Sequence, residues 1–197
     1  MAHINSIICL LACCTLMGCS AISFSEKPLM VEPVVCVTPD LQANKPLLLT
    51  QNIHAKYLDA SDQSTQREVT FDAYLASNNR ELKLSVLFMG FRAWDITYDG
   101  EMIFEERTSQ VPQELQANYL LRDITLSYWP ASNIMRQSPK LLIVDKPHER
   151  LIQDRESGDL LLSIHYLDNA GPTSTIGRLI LTNHKEHYQL SIDSREP

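Results

Sequence analysis

Two pairs of side chains in this sequence have spacings that suggest metal binding or acid–base chemistry. His184 and His187 form a His-x-x-His pair, which on a helix would place two zinc ligands on one face. They fall instead in a predicted hairpin turn, without an evident third ligand. Glu105 and Glu106 are consecutive in a predicted strand and therefore point to opposite faces of a sheet. Neither pair has the geometry that a metal centre or paired acid–base catalysis requires.

The other reactive side chains lack the context of a nucleophilic or phosphate site. Ser163 and His165 share one face of a predicted strand, but no Gly-x-Ser-x-Gly motif surrounds the serine. Asp123 is expected to have a structural role, as a cap or as the partner of Arg122 or Arg136. The sequence has no Gly-rich phosphate loop and no Cys/His constellation. We therefore expect no catalysis, no metal and no cofactor.

A thiol with a different chemistry stands at Cys19, directly after an apolar segment. Residues 7–17 are uncharged and mostly apolar, and a glycine and further small residues follow them. This pattern is typical of the hydrophobic region and cleavage zone of a secretory signal peptide. The segment is shorter than the about 20 apolar residues that a transmembrane helix needs. The alternative interpretation is a buried N-terminal helix.

The ending Leu16-Met17-Gly18-Cys19 resembles the lipobox of bacterial lipoproteins. The resemblance implies a signal peptide over residues 1–18, lipidation of the Cys19 sulfur, cleavage before Cys19 and acylation of the new amino terminus, for example with palmitate. Ser20 follows where an Asp would favour retention in the inner membrane, so the resemblance also implies sorting to the outer membrane. The expected location is the periplasmic face of the outer membrane.

The net charge excludes some classes of binding partner, and the cysteine content bears on disulfide formation. The chain has 24 acidic and 17 basic residues, a formal net charge of −7, which argues against nucleic acid and against electrostatic docking on anionic lipids. Cys36 is the one other cysteine of the mature chain. With Cys19 acylated it has no partner for a disulfide within the chain, and we interpret it as a buried apolar residue.

The predicted organisation is a tether followed by one domain. Residues 19–46 contain four prolines and little periodicity, which favours an extended tether between the membrane and the domain. The domain is predicted over residues 47–197, a length that suits one hydrophobic core.

Alternating apolar residues predict a series of short antiparallel strands. Asp99-Gly100 is a strong hairpin signal, and residues 77–80 and 183–186 are further polar turns. The predicted strands cover residues 47–58, 69–75, 82–88, 94–98, 102–107, 140–144, 151–153, 160–167, 177–181 and 188–192.

A helical insert interrupts these strands. The apolar spacing over residues 113–126 predicts a helix, with Pro112 in its first turn and Ser109 as the candidate cap. Pro130 should end this helix and begin a second short one through Ile134. The predicted fold class is mainly β (α+β): a strongly curved, unclosed antiparallel sheet or half-barrel, with the helices on its concave side. Such a shape tends to leave space for a ligand.

Two segments carry a resemblance to a known family. Asn-Tyr-Leu-Leu-Arg-Asp-Ile-Thr-Leu-Ser-Tyr-Trp-Pro at 118–130, and the Phe-Met-Gly-Phe-Arg-x-Trp…Tyr-Asp-Gly stretch at 88–100, resemble small proteobacterial lipoproteins of unknown function. Genes of that family commonly lie in aryl-polyene, fatty-acid-like biosynthetic clusters. The family in turn resembles LolB, the outer-membrane lipoprotein receptor, and its carrier LolA. The resemblance covers most of residues 50–192 and implies an unclosed β-barrel with helices in its mouth.

Two sets of candidate binding residues follow. Alternation on the strands and spacing on the helix predict a shared, incompletely filled apolar interior formed by Phe71, Leu84, Val86, Trp94, Leu120 and Ile124. The uncharged segment 88–91 predicts an apolar loop that contacts membrane or cargo through Phe88, Met89 and Phe91. Met89 matches a protruding leucine of LolB. The competing interpretation places these side chains in an ordinary core.

The favoured function is that of a membrane-anchored lipoprotein, facing the periplasm, that binds an acyl chain, a lipid or a lipoprotein and transfers it to the outer membrane. The resemblance makes the lipoprotein-sorting machinery a candidate partner. The alternative is a structural or assembly lipoprotein that contacts a protein partner without carrying a ligand. A third hypothesis is a hydrolase with an unrecognised site, which the absence of catalytic sequence motifs disfavours.

Overall fold

The computed structural model describes residues 29–30, 47–58, 65–78, 80–112, 115–172 and 174–197. Leu29 and Met30 are described by their backbone alone. The elements in chain order are β1 (Leu29–Met30), β2 (Leu47–Leu58), β3 (Gln66–Ser77), β4 (Leu82–Phe88), β5 (Phe91–Tyr98), β6 (Met102–Arg107), α1 (Ala117–Tyr128), α2 (Ala131–Gln137), β7 (Leu141–Lys146), β8 (Glu149–Asp154), β9 (Leu160–Tyr166), β10 (Gly177–Asn183) and β11 (Tyr188–Arg195).

The eleven strands of the described residues belong to one antiparallel sheet, in the order β1-β6-β5-β4-β3-β2-β11-β10-β9-β8-β7. Two meanders, one on each side of the helices in sequence, meet where β2 pairs with β11. The described edge strands β1 and β7 are not paired with each other, so the sheet is not closed into a barrel. The predicted fold class is confirmed.

The strands form where apolar and polar residues alternate, because alternate side chains of a strand lie on opposite faces of the sheet. In β2, Leu47 and Leu49 are buried, while Leu48 between them is 53% exposed. The same alternation buries one face of every long strand, and these faces share one apolar core with the helices. Each of the ten predicted strand segments overlaps an observed strand. The start of β5 was predicted three residues too late, at Trp94 instead of Phe91.

The first helix differs from its prediction at its beginning. It begins at Ala117, four residues after the predicted start, and Gln116 before it has an extended backbone with φ −114° and ψ 137°. The chain before it turns instead of coiling into a helix: the Val111 N–H donates to the Thr108 carbonyl (3.3 Å), and Arg107 donates to the Pro112 carbonyl. The predicted roles of Pro112 and Ser109 at the helix start are therefore wrong.

Helix α1 ends as predicted before Pro130, which directly precedes α2. The end of α1 is held by Arg150 of β8, whose side chain is fully buried. Its Nη1 donates to the carbonyls of Leu126 (2.6 Å) and Trp129 (2.8 Å), and its Nε donates to Asp145 (2.7 Å). A cation at the carboxyl end of a helix also interacts favourably with the negative end of the helix dipole. These contacts fix α1 against the β7–β9 half of the sheet.

The predicted boundaries at residues 18 and 46 stay predictions, since residues 1–28 and 31–46 lie outside the described parts of the chain. One short segment of the predicted tether is described. Leu29 pairs with Ile103, and Met30 pairs with Met102, so that β1 runs antiparallel to β6.

Candidate binding cleft

A cleft of about 140 Å³ lies between the amino-terminal half of α1 and the sheet where β2 and β11 pair. Its walls are mainly apolar. They consist of Ala55, Tyr57, Leu58, Leu115, Gln116, Tyr119, Leu120, Asp123, Glu186, Tyr188 and Leu190.

The pairing of β2 with β11 sets the floor of this cleft. Ala55 lies opposite Leu190 in the ladder, and both side chains are buried on the inner face. Leu120 of α1 faces them and is also buried. Leu58, the last residue of β2, is 37% exposed and lies at the rim. A small alanine among larger apolar residues leaves room between the helix and the sheet.

One side of the cleft is polar and is built around the Arg122 guanidinium. Arg122 Nε donates to Asp123 Oδ1 (3.0 Å), and its Nη1 and Nη2 donate to Glu186 Oε1 (3.2 Å) and Oε2 (3.0 Å). Nη2 also donates to the Tyr188 hydroxyl (2.6 Å), which in turn donates to Asp123 Oδ2. The guanidinium carbon lies 4.8 Å from the centroid of the Tyr119 ring, the arrangement of a cation–π contact.

The turn before β11 positions Glu186. The Asn183 Oδ1 accepts the backbone N–H groups of Lys185 (3.0 Å) and Glu186 (2.7 Å), and the Asn183 amide donates to the Glu186 carboxylate. Asn183 is buried, so this turn presents Glu186 inward to α1. The turn therefore connects the last hairpin to the helix through a bidentate ion pair.

Burial is the largest influence on the pKa values of Asp123 and Tyr188 in this network. Burial raises the pKa of the Asp123 carboxyl to about 6, although Arg122 and the Tyr188 hydroxyl favour its charged form. Burial, then the neighbouring Asp123 carboxylate, raises the pKa of the Tyr188 phenol. Burial alone would lower the pKa of Arg122, but Asp123, Tyr188 and Glu186 outweigh it and hold that pKa above its ordinary value. Arg122 is thus charged at every physiological pH.

The six side chains predicted to line an apolar interior are all buried and belong to the same core. Leu120 lines the cleft. Phe71, Val86 and Trp94 line a separate space of only about 10 Å³, beside Phe88 and Leu115. Leu84 and Ile124 line neither space. The structure brings the six residues into one core but does not gather them around one cavity.

The segment predicted as an apolar loop is the tight turn between β4 and β5. Met89 and Gly90 have positive φ values, 52° and 81°, so the turn uses the left-handed region at both positions. Met89 is 83% exposed and Phe91 is 72% exposed. Phe88 packs against the core. Met89 and Phe91 together form what we call the hairpin tip.

Of the side chains with possible chemistry named above, Ser163 and His184 contact each other, whereas His165 and Glu105 pair with other residues. His184 Nε2 lies 3.0 Å from the Ser163 hydroxyl, and His165 pairs with Glu149 across 3.5 Å. Glu105 accepts a hydrogen bond from the Trp94 indole (2.9 Å). Among the described residues, no three His, Cys, Asp or Glu side chains are grouped so that they could hold a metal ion.

Sequence reasoning gave Arg122 and Arg136 as alternative partners of Asp123, beside a capping role, and the structure shows Arg122. It missed Glu186 and Tyr188 as further members of the network. Residues 183–186 were recognised as a turn, and no local pattern in them points to a helix 64 positions earlier. The one available signal was the acidic residue in an Asn-x-x-Glu turn beside a strand.

Cys19 lies outside the described residues, so its lipidation stays a prediction. Within the described ranges, no helix has the length and the apolar character needed to cross a bilayer.

Comparison with known proteins gives one family and a distant structural likeness. No curated protein matches the sequence. A solved structure from Vibrio parahaemolyticus, described provisionally as an outer membrane lipoprotein-sorting protein domain, is 9% identical. The match covers 76% of this chain and 83% of that chain, with a TM-score of 0.34, which is too low to support an argument about function.

The family comparison is stronger, because it covers most of the domain. The model of a family described as "Protein of unknown function (DUF3261)" matches residues 49–196, from the third residue of β2 to the residue after β11. The chain therefore belongs to this family of proteins of unknown function, DUF3261.

Proposed function

We propose that this protein is a lipid-anchored envelope lipoprotein that binds a hydrophobic chain in the cleft between α1 and strands β2 and β11. The bound chain belongs to a lipid or a lipoprotein that is passed to the outer membrane. The observation that carries the proposal is the cleft itself: a mainly apolar space between α1 and an unclosed sheet. The resemblance of segments 88–100 and 118–130 to lipoproteins that resemble LolB supports the same role.

The walls of the cleft suit an alkyl chain. Ala55, Leu120 and Leu190 form its buried base, and Leu58 and Leu115 lie toward its opening. Pockets for drug-sized ligands measure about 300–1,000 Å³, so about 140 Å³ holds a short segment of a chain and not a whole lipid. Each buried methylene contributes about 0.8 kcal/mol, so a few of them give weak, reversible binding, which a carrier needs in order to release its load.

The hairpin tip offers a second apolar contact, and the direction of β1 supports an orientation in which this contact faces the membrane. Because β1 runs antiparallel to β6, with Leu29 opposite Ile103, the chain enters β1 from the end of β6 that lies beside the start of β5. The tip is at that same end. Nine residues lie between Cys19 and Leu29, and the ten Cα-to-Cα steps can span up to about 35 Å, more than the about 24 Å length of β5. A lipid on Cys19 would therefore reach the bilayer that the tip faces.

Lipid extraction from matched variants tests the proposal. The full mature chain, with Cys19→Ser to remove the anchor, is purified without detergent, and the hydrophobic molecules that accompany it are identified by mass spectrometry. The same is done for Leu58→Arg, which places a charge at the cleft rim, and for Leu160→Arg. Leu160 is 38% exposed on β9 and lies outside the cleft, so it matches Leu58 in exposure.

The expected result is co-purifying acyl species in the parent protein and in Leu160→Arg, and their loss in Leu58→Arg. Equal retention in both variants would place the ligand elsewhere and contradict the cleft. A stable protein complex in native mass spectrometry, with no lipid in any sample, would support the assembly alternative. Turnover of ester substrates by the parent protein would support a hydrolase.

A further inference from the structure

The polar side of the cleft presents hydrogen-bond acceptors to a ligand. Asp123, Glu186 and Tyr188 line the cleft, whereas Arg122 is not among its lining residues. The Glu186 side chain is 26% exposed, against 3% for Asp123 and 7% for Arg122, so Glu186 is the more accessible carboxylate. Each guanidinium nitrogen of Arg122 already donates to Asp123, Glu186 or Tyr188. The Arg122 guanidinium is therefore engaged by the carboxylates that it neutralises.

The charge of this group disfavours an anionic ligand. Two carboxylates and one guanidinium sum to one negative charge, held where the low dielectric of a protein interior strengthens Coulomb interactions. The amino-terminal end of α1, at Gln116, adds a positive partial charge equivalent to about half a proton, which does not reverse the sign. A carboxylate head group entering here would meet like charge, at a guanidinium whose three nitrogens each already donate to a neighbouring oxygen.

We propose that the cleft selects apolar ligands whose polar end donates hydrogen bonds, such as an ammonium, a hydroxyl or the N–H of an amide-linked acyl chain, and rejects free fatty-acid anions. This inference rests on the proposed function and specifies the ligand for the same cleft. The donor end lies against the Glu186 carboxylate, beside Asp123, and the alkyl segment extends along Leu120, Leu190 and Ala55. A carrier built this way takes finished, linked acyl chains and ignores the free acid.

A set of three eight-carbon probes tests the inference. Octylammonium, 1-octanol and octanoate share one chain and differ at the polar end alone. Each is titrated into the mature chain carrying Cys19→Ser at pH 8, where Asp123, with a pKa of about 6, is ionised. Amide chemical shifts of Leu120 and Leu190 report binding in the cleft, so attraction of a cation to the negatively charged surface elsewhere is not counted.

The expected order of affinity is octylammonium, then 1-octanol, then octanoate, with at least a tenfold gap between the first and the last. Glu186→Gln should reduce that gap at least threefold. Glu156→Gln is the matched control, because it removes one exposed carboxylate from the turn after β8, outside the cleft, and should leave the gap unchanged.

Three results would overturn the inference. Octanoate binding as tightly as octylammonium would do so directly, and this measurement on the unaltered cleft stands even where Glu186→Gln fails to fold. An equal effect of both glutamine variants would show a general charge effect. If none of the three probes shifts the amide signals of Leu120 and Leu190, the proposed function itself is refuted, and the inference with it. A preference for octanoate would refute the inference alone.

Discussion

The Arg122 guanidinium on α1 holds the Glu186 carboxylate in the turn before β11 through two hydrogen bonds, of 3.2 Å and 3.0 Å. This pair joins the helix to the last hairpin across 64 positions of sequence. It forms the polar side of the cleft, so the same contact that docks α1 on the sheet also determines the charge that a ligand meets.

Replacing Arg122 with Met should destabilise the fold strongly. The change would leave Asp123, which is 3% exposed, and Glu186 without their cation. Loss of one partner from a buried ion network typically costs about 3–5 kcal/mol, which urea unfolding followed by circular dichroism would measure. Arg178→Met is the control, because Arg178 pairs with Asp168 on the exposed surface, and its effect should be far smaller. Equal effects of the two substitutions would show that the Arg122 network is not a buried one.

The stability of the protein should depend on pH through Asp123. Because its folded pKa of about 6 lies above the value of 3.8 for a free aspartate, the folded state binds more protons than the unfolded state between pH 4 and 6. The free energy of unfolding should therefore fall, relative to Asp123→Asn, as pH rises from 4 to 7, by on the order of 2 kcal/mol. Urea unfolding of both proteins at pH 4, 5, 6 and 7 measures this difference. A difference that grows with pH would mean that Arg122 and Tyr188 lower the pKa of Asp123 more than burial raises it.

The Arg150 contacts predict that a lysine cannot replace this arginine. Arg150 serves two helix carbonyls and the Asp145 carboxylate at once, and a lysine ammonium cannot reproduce that planar fork. Arg150→Lys should cost about 2 kcal/mol or more, since it leaves buried carbonyl groups without a donor. Arg155→Lys is a milder counterpart, because Arg155 donates to the Pro139 and Leu141 carbonyls from an exposed position. A smaller loss for Arg150→Lys than for Arg155→Lys would contradict the anchoring role.

The hairpin tip should matter for membrane contact and little for stability. Met89→Glu changes an 83% exposed side chain, and exposed substitutions usually alter stability by less than about 0.5 kcal/mol. In the Cys19→Ser protein, the added Met89→Glu substitution should weaken binding to liposomes severalfold. Ile176→Glu, at a 46% exposed position away from the tip, should leave liposome binding unchanged. A large drop in melting temperature for Met89→Glu, or equal liposome binding by both variants, would rule out a role for the tip.

The anchor prediction concerns Cys19. Stable membrane attachment takes more than one acyl chain, so Cys19→Ala should abolish membrane fractionation and leave the domain folded. Metabolic labelling with palmitate measures the modification directly. Absence of label from the mature wild-type protein would refute the anchor.

The strand pattern was predictable because it is local. The alternation over residues 47–58 gives the observed bounds of β2, and Asp99-Gly100 marks the turn before β6, where the Asp99 carboxylate accepts two backbone N–H groups. The start of α1 was not predictable from local spacing, because contacts of Arg107 and Thr108 hold residues 111 and 112 in a turn.

The site was less predictable than the fold. The alternation of Phe71, Val86 and Trp94 indicates burial, but it does not distinguish a filled core from a cavity, and the packing around these residues leaves little space. The cleft depends on which side chains face Ala55 across β2, β11 and α1, and those partners come from distant parts of the chain. Tyr188 and Glu186 become part of the cleft only because the fold brings the last hairpin against α1.

Photolabelling tests the central claim, that the cleft beside α1 binds an apolar chain, most directly. An octylamine probe with a diazirine on its chain is irradiated with the Cys19→Ser protein, and labelled residues are located by tandem mass spectrometry. We predict labels on Leu58, Leu120 and Leu190, which competition by unlabelled octylamine removes. Labels confined to the hairpin tip, or spread over exposed apolar residues such as Leu48 and Phe104, would contradict the claim.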